Sequence, residues 1–146
     1  MKVSTKGRYG LRVMLELAMK HGDGPVMMGA IEKKQGISRK YMHTLLTNLK
    51  TAGLVKAVRG AGGGFILAMP PEEIHLNGIV EALEGPFEVT ECAGNDVFCN
   101  KSDDCVTRQV WREVGEAVKE VLSGITLDQL VARQKAANLQ ADMFYI

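Results

Sequence analysis

The chain has 146 residues, 46% hydrophobic and 24% charged, the size and balance of one domain or of one domain with an accessory arm. No apolar run approaches the roughly eighteen residues of a membrane span, and the start MKVSTKGRYG is charged without a signal-like apolar core, so the expected location is cytoplasmic with no membrane partner. The net charge of +1 conceals an asymmetry: residues 1–60 carry twelve Lys/Arg against three Asp/Glu, and residues 61–146 carry six against fourteen, which points to a basic part facing a polyanion and an acidic part facing away.

In chain order, RYGLRVMLELAMKHG places Leu11, Met14 or Leu15, and Ala18 at helical spacing, with Gly22 as its stop. DGPV reads as a turn. MMGAIEKKQGI reads as a short helix ending near Gly36. In SRKYMHTLLTNLKTAG, Ser38 is the expected N-cap, Tyr41, Leu45, Leu46 and Leu49 the apolar face, and Gly53 the close. Residues 26–53 therefore read helix, turn, helix. The opposite face of the second of these helices offers Ser38, Arg39, Lys40, His43, Thr44 and Thr47, a set of donors and acceptors suited to base edges and phosphates.

Two short apolar segments, 54–58 and 65–69, flank a turn with Gly60, Gly62, Gly63 and Gly64, a hairpin with a glycine-rich tip. RGAGGG lacks the Lys-Ser/Thr ending of a nucleotide-binding loop and does not open a helix. Arg59, on a thin tip, has the reach to enter a minor groove. The predicted fold is mostly α with a small β-hairpin wing: a winged helix-turn-helix plus a long dimerisation helix. The expected partner is double-stranded operator DNA. The DNA-facing candidates are Ser38, Arg39, Lys40, Tyr41 (shared with the core), His43, Thr44 and Arg59.

After Pro70 and Pro71, HLNGIVEALEG reads as a short helix. Then ECAGNDVFCNKSDDCVTR gathers all three cysteines, Cys92, Cys99 and Cys105, within fourteen residues. Buried structural thiols, a zinc site, a thiol switch and an iron–sulfur cluster are all compatible with such a loop, and spacing alone does not separate zinc from a cluster. VTRQVWREVGEAVKEVLSG carries Val106, Val110, Val114, Val118 and Val121 at helical spacing. This stripe exceeds what one small core needs, so it is read as the seam of a symmetric homodimer. TLDQLVARQ is a last short helix capped by Thr126, and the tail from Ala136 is weakly patterned. The expected division is 1–75 winged helix-turn-helix, 76–105 short helix and cysteine loop, 106–146 dimerisation helix and C-terminal arm. No catalytic constellation is visible: His21, His43 and His75 are scattered, and no nucleophile is paired with a base, so no enzyme activity is expected.

STKGRYGLRVMLELA, QGISRKYMHTLLTNLKTAGLVKAVRGAGGGF, the C-x6-C-x5-C…W pattern and ITLDQLV together resemble the IscR-like iron–sulfur cluster regulators, a family of bacterial winged-helix repressors, over about residues 1–135. The resemblance implies a homodimer, a cluster held by Cys92, Cys99 and Cys105 (2Fe–2S ahead of 4Fe–4S), and control of cluster-assembly genes. It also shows departures. Arg108 stands where such proteins carry a histidine as fourth ligand, and an arginine stays protonated and cannot ligate. Arg8 and Arg12 stand where some relatives place ligands on the first helix, and His43 stands where an IscR-like glutamate influences which DNA sites are accepted. Candidates left for a fourth ligand are a local carboxylate (Glu91, Asp103 or Asp104), water or a small thiol, or a side chain from elsewhere, His43 and the partner protomer included. The competing readings are a metal-free thiol-redox or nitric-oxide-responsive repressor of the same fold, and a cluster carrier, for which the wing and basic helix would have no use.

Overall fold

The computed structural model describes residues 2–95, 99 and 104–145. Its elements in order are α1 (Thr5–Met19), α2 (Met28–Gln35), α3 (Arg39–Thr51), β1 (Val55–Val58), β2 (Gly64–Leu67), a 3₁₀ turn (Pro71–Glu73), α4 (Leu76–Glu84), α5 (Glu91–Gly94), α6 (Val106–Ser123) and α7 (Leu127–Phe144). The mostly helical winged architecture expected above is present.

Three helices, α1, α3 and α7, start where the sequence supplies a side-chain partner for free backbone N–H groups. The Ser4 hydroxyl accepts from Gly7 N, the Ser38 hydroxyl from Tyr41 N, and Thr126 and Gln129 form a reciprocal capping box. α2 ends at Gly36, whose φ of 63° lies in the left-handed region glycine occupies without strain. β1 and β2 pair antiparallel in the register Val55↔Leu67 to Val58↔Gly64. The DGPV segment contributes more than a turn. Val26 exchanges two backbone hydrogen bonds with Phe65, both 2.9 Å, adding a one-residue antiparallel bridge to β2 of the hairpin. Gly64 permits this approach, since a Cβ there would collide with the Val26 carbonyl.

The core is one cluster. Val13, Met14, Leu17 and Ala18 of α1 meet Ile31 of α2, Met42, Leu45, Leu46 and Leu49 of α3, and Val55 and Leu67 of the hairpin. The inner face of α3 is thus Met42 with the three leucines, while Tyr41 is half-buried and meets Tyr9 edge-on at 6.0 Å. The inner face of α1 is rotated from the expected one: Val13 and Leu17 are buried, and Leu11 and Leu15 only partly.

The same core takes in Ile74, then Leu76, Ile79 and Leu83 of α4, and Leu127 and Val131 of α7. α4 approaches α1 closely because Gly7 and Gly10 lack side chains; a Cβ on Gly10 would strike Leu83, and one on Gly7 would strike the Glu84 carboxylate. That carboxylate accepts from Ser4 N at 3.1 Å and Ser4 Oγ at 2.8 Å, beside the positive end of α1 where a carboxylate is favoured. Leu76 N donates to Ile125 O and Leu127 N to Ile74 O, stitching the start of α4 to the α6–α7 turn.

Two elements differ from expectation. α5 is a single helical turn inside the cysteine loop, unannounced by any periodicity. α7 runs on through the tail to Phe144, because residues 132–144 hold no Gly or Pro and consist mostly of good helix formers. Its far end projects from the body: Leu139, Met143, Phe144 and Tyr145 are exposed.

Candidate functional site

α3 turns its apolar stripe inward, which leaves Ser38, Arg39, Lys40, His43, Thr44 and Thr47 exposed on the other side. Not all of these side chains are free. The Ser38 hydroxyl caps the helix at 3.3 Å from Tyr41 N. The Thr44 hydroxyl donates to Lys40 O at 3.2 Å. Arg39 is paired with Glu32 of α2, its Nε 3.2 Å from one carboxylate oxygen, which holds the guanidinium along the α2–α3 corner. Lys40 and His43 are exposed in the same stretch. Tyr41 lies at the α1–α3 contact, with Arg12 stacked 5.4 Å above the neighbouring Tyr9 ring.

Arg59 is exposed at the hairpin tip, where Gly60 adopts a φ of 110° and Gly63 N donates to Gly60 O at 3.0 Å. The structure adds two cations that the sequence reading left aside. Lys50 at the end of α3 and Lys56 on β1 line an open hollow of about 500 Å³ together with Arg59, Gly53, Val55, Ala57 and Ala68. No acidic residue lines it. The signal was present in sequence as three cations within ten residues, but only the hairpin brings them around one hollow.

The cysteine loop is organised by α5 and α6. Cys92 lies on α5, its sulfur 3.3 Å from the Thr90 hydroxyl. Cys105 is the N-cap of α6, its sulfur 3.2 Å from the Thr107 hydroxyl. That hydroxyl, followed by the backbone N–H of Arg108, draws the Cys105 thiol below its ordinary pKa, so the thiolate is favoured. Cys99, between the two helices in sequence, is exposed. None of the three is in a disulfide.

Arg108 sits between them. Its backbone N–H donates to Cys105 O at 3.1 Å and its Nε to Cys92 O at 2.5 Å. Its side chain is buried, with a residue exposure of 5%, making it the buried charged residue among those described. Thiolates are suitable donors for an iron–sulfur cluster, so the chain supplies up to three ligands of the right chemistry. Position 108 supplies none. Among the described residues no three His, Cys, Asp or Glu side chains are gathered to hold a metal ion. Of the expected carboxylates, Glu91 and Asp104 are exposed, and Asp103 lies outside the described residues. His43 is on α3, while His21 and His75 lie at other helix ends; the His75 ring is bonded to Ser123 O at 2.6 Å.

Residues 3–133 match the Rrf2 family, described as iron-dependent transcriptional regulators. The chain belongs to the Rrf2 family. It is 41% identical over 146 residues to the HTH-type transcriptional regulator CymR of Bacillus subtilis, covering all of both chains. It is 35% identical over 139 residues to the regulator IscR of Pectobacterium atrosepticum, covering 95% of this chain and 84% of that one. Among solved structures, CymR of B. subtilis, titled the global cysteine regulator, superposes with a TM-score of 0.79 at 40% identity, over 91% of this chain and 98% of that one. IscR of T. potens gives 0.79 at 39% identity, over 94% and 90%. This Rrf2 protein is thus a winged-helix, DNA-binding transcription regulator, and its relatives are regulators rather than enzymes. No described helix is long and apolar enough to cross a membrane.

Proposed function

We propose that this Rrf2 regulator represses transcription as a cytoplasmic homodimer bound to a pseudo-palindromic operator, and that Cys92, Cys99 and Cys105 hold an iron–sulfur cluster, 2Fe–2S in the first instance, that tunes this binding. The observation that carries the sensor reading is the placement of Cys92 and Cys105 on two packed helices, both next to Arg108, with Cys99 in the segment between them. When bound, such a cluster supplies a labile, redox-active group whose gain or loss reports iron and sulfide supply. The chain's own residues do the rest. The Thr107 hydroxyl favours the Cys105 thiolate that ligation needs. α3 presents Arg39, Lys40, His43 and Thr44 to the major groove, with Ser38 and Tyr41 setting the helix in place. Arg59 enters the minor groove, and Lys50 and Lys56 beside it hold a phosphate. The exposed valines of α6 meet the second copy. Cluster-assembly genes are the natural target of such a sensor, since their products make what it detects.

The test is anaerobic purification followed by visible absorption, iron and sulfide analysis, and operator binding with and without the cluster. Coloured protein with stoichiometric iron and sulfide, bleached by each single Cys→Ala change, is the expected result. Colourless, iron-free protein from iron-replete anaerobic cells would sink the cluster.

A second reading has its own support: the ungathered ligand set, the fourth position filled by Arg108, and the 41% identity to a CymR regulator. On that reading the loop is a metal-free thiol sensor. Colourless protein whose operator binding changes on mild oxidation and recovers on reduction identifies it.

A further inference from the structure

α5 raises a physical question. It is four residues long and none of them is buried. A single turn cannot hold itself together, since helix nucleation is unfavourable and propagation has no length over which to compensate. Nor does α5 have an apolar anchor in the core. Its position against α6 must come from polar contacts.

Two of these contacts come from one face of α6, four residues apart. Arg108 Nε donates to Cys92 O at 2.5 Å, and Arg112 Nε to Ala93 O at 3.2 Å. These are consecutive carbonyls of a helix too short to satisfy them internally, and cationic donors at a helix C-terminal end are favoured by its dipole. Arg108 also holds Cys105 O through its backbone. One residue thereby touches the backbone of both cysteines that flank the loop.

We propose that Arg108 and Arg112 are positioning residues: a two-guanidinium clamp that fixes α5, and with it Cys92, against α6 in the cluster-free protein. Arg108 cannot ligate iron, but it ties the backbones of Cys92 and Cys105 to α6. The clamp goes beyond the sensor reading and is tested without iron, so its failure leaves the cluster reading standing.

The experiment uses the full-length, chelator-treated and reduced protein. Alkylation of Cys92 and Cys99 by iodoacetamide is followed by mass spectrometry, alongside hydrogen exchange of the amides of residues 91–95 and of α3. Cys92 in the unaltered protein is expected to react well behind Cys99. Arg108→Ala should raise the Cys92 rate about tenfold and abolish exchange protection in α5, as expected when a local opening becomes the resting state. Arg112→Ala should do so in part, and Arg108→Lys, which keeps one cationic donor, should recover part of the protection. If Arg108→Ala loosens α3 as well, the exposed Arg112→Ala variant decides. There, a raised Cys92 rate with α3 unchanged supports the clamp, and an unchanged rate overturns it. Equal Cys92 rates in the unaltered protein and both alanine variants overturn it too.

Discussion

Arg59 and Lys56 stand side by side at the wing, yet their substitutions should read differently. On the proposed reading Arg59 at the tip enters a groove, so Arg59→Ala should weaken operator binding by about 1–3 kcal/mol and relax sequence preference. Lys56→Ala should lower the salt dependence of binding by about one counterion per protomer, equally for operator and random DNA. Titrations of both variants at several salt concentrations distinguish the two roles; a Lys56→Ala slope identical to that of the parent removes the phosphate contact. Cys105 has a pH signature. Its thiol is drawn down first by the Thr107 hydroxyl and then by the Arg108 amide, so the thiolate persists to lower pH than in an ordinary cysteine. In cluster-free protein the alkylation midpoint of Cys105 should lie below that of an ordinary cysteine, and Thr107→Val should move it back up. The cap at Ser38, the exposed polar face of α3 and the tip position of Arg59 were legible from residue type and spacing. The burial of Arg108 was not. Sequence shows only that an arginine cannot ligate; that it lies under α5 depends on how a one-turn helix packs.

At the level of elements, α6 was read as a seam between copies from its valine spacing, and the single chain leaves part of that stripe uncovered. Val110 and Val121 are 53% and 62% exposed, and Trp111 is exposed beside them, whereas Val114 and Val118 are half-buried against the chain's own body. This makes Val110 the cleaner probe. In an isolated protomer a glutamate there would sit in water at no great cost. In a dimer seam it would be an unpaired buried charge. Val110→Glu should therefore give a folded monomer by light scattering with near-unaltered helical circular dichroism; a stable dimer would remove this face from the seam. The length of α7 was missed for a related reason. Amphipathic periodicity fades after Val131 because nothing among the described residues covers that end, while helix propensity alone carries the turns on.

For the molecule as a whole, the basic half and the acidic half are distinct in charge but not in packing. The core that holds α3 in place includes Leu76, Ile79 and Leu83 of α4 and Leu127 and Val131 of α7. Truncation after residue 75 would strip these from Val13, Met14, Leu17 and Leu49, and losing even one such leucine typically costs about 2–5 kcal/mol. Since a whole domain is stable by only about 5–15 kcal/mol, a 1–75 fragment should show no cooperative thermal transition by circular dichroism. A cooperative melt would make the winged region self-sufficient. The hairpin and the helix-turn-helix were readable locally, through caps, glycines and periodicity. The α1–α4 contact was not, because it depends on Gly7 and Gly10, whose value lies in the absence of a side chain opposite Glu84 and Leu83.

The packing of α1 on α7 also sets a clock. Val13 and Val131 belong to one cluster, and the chain between them must be synthesised before that cluster can close. At roughly 5–20 residues per second this takes on the order of 6–24 s. Throughout that interval the inner face of α1 is without its last neighbour. α1 emerges before every other element of its cluster and is among the last to be fully covered. A nascent chain of this protein therefore presents a chaperone with an apolar helix that is withdrawn only once α7 is available to cover it.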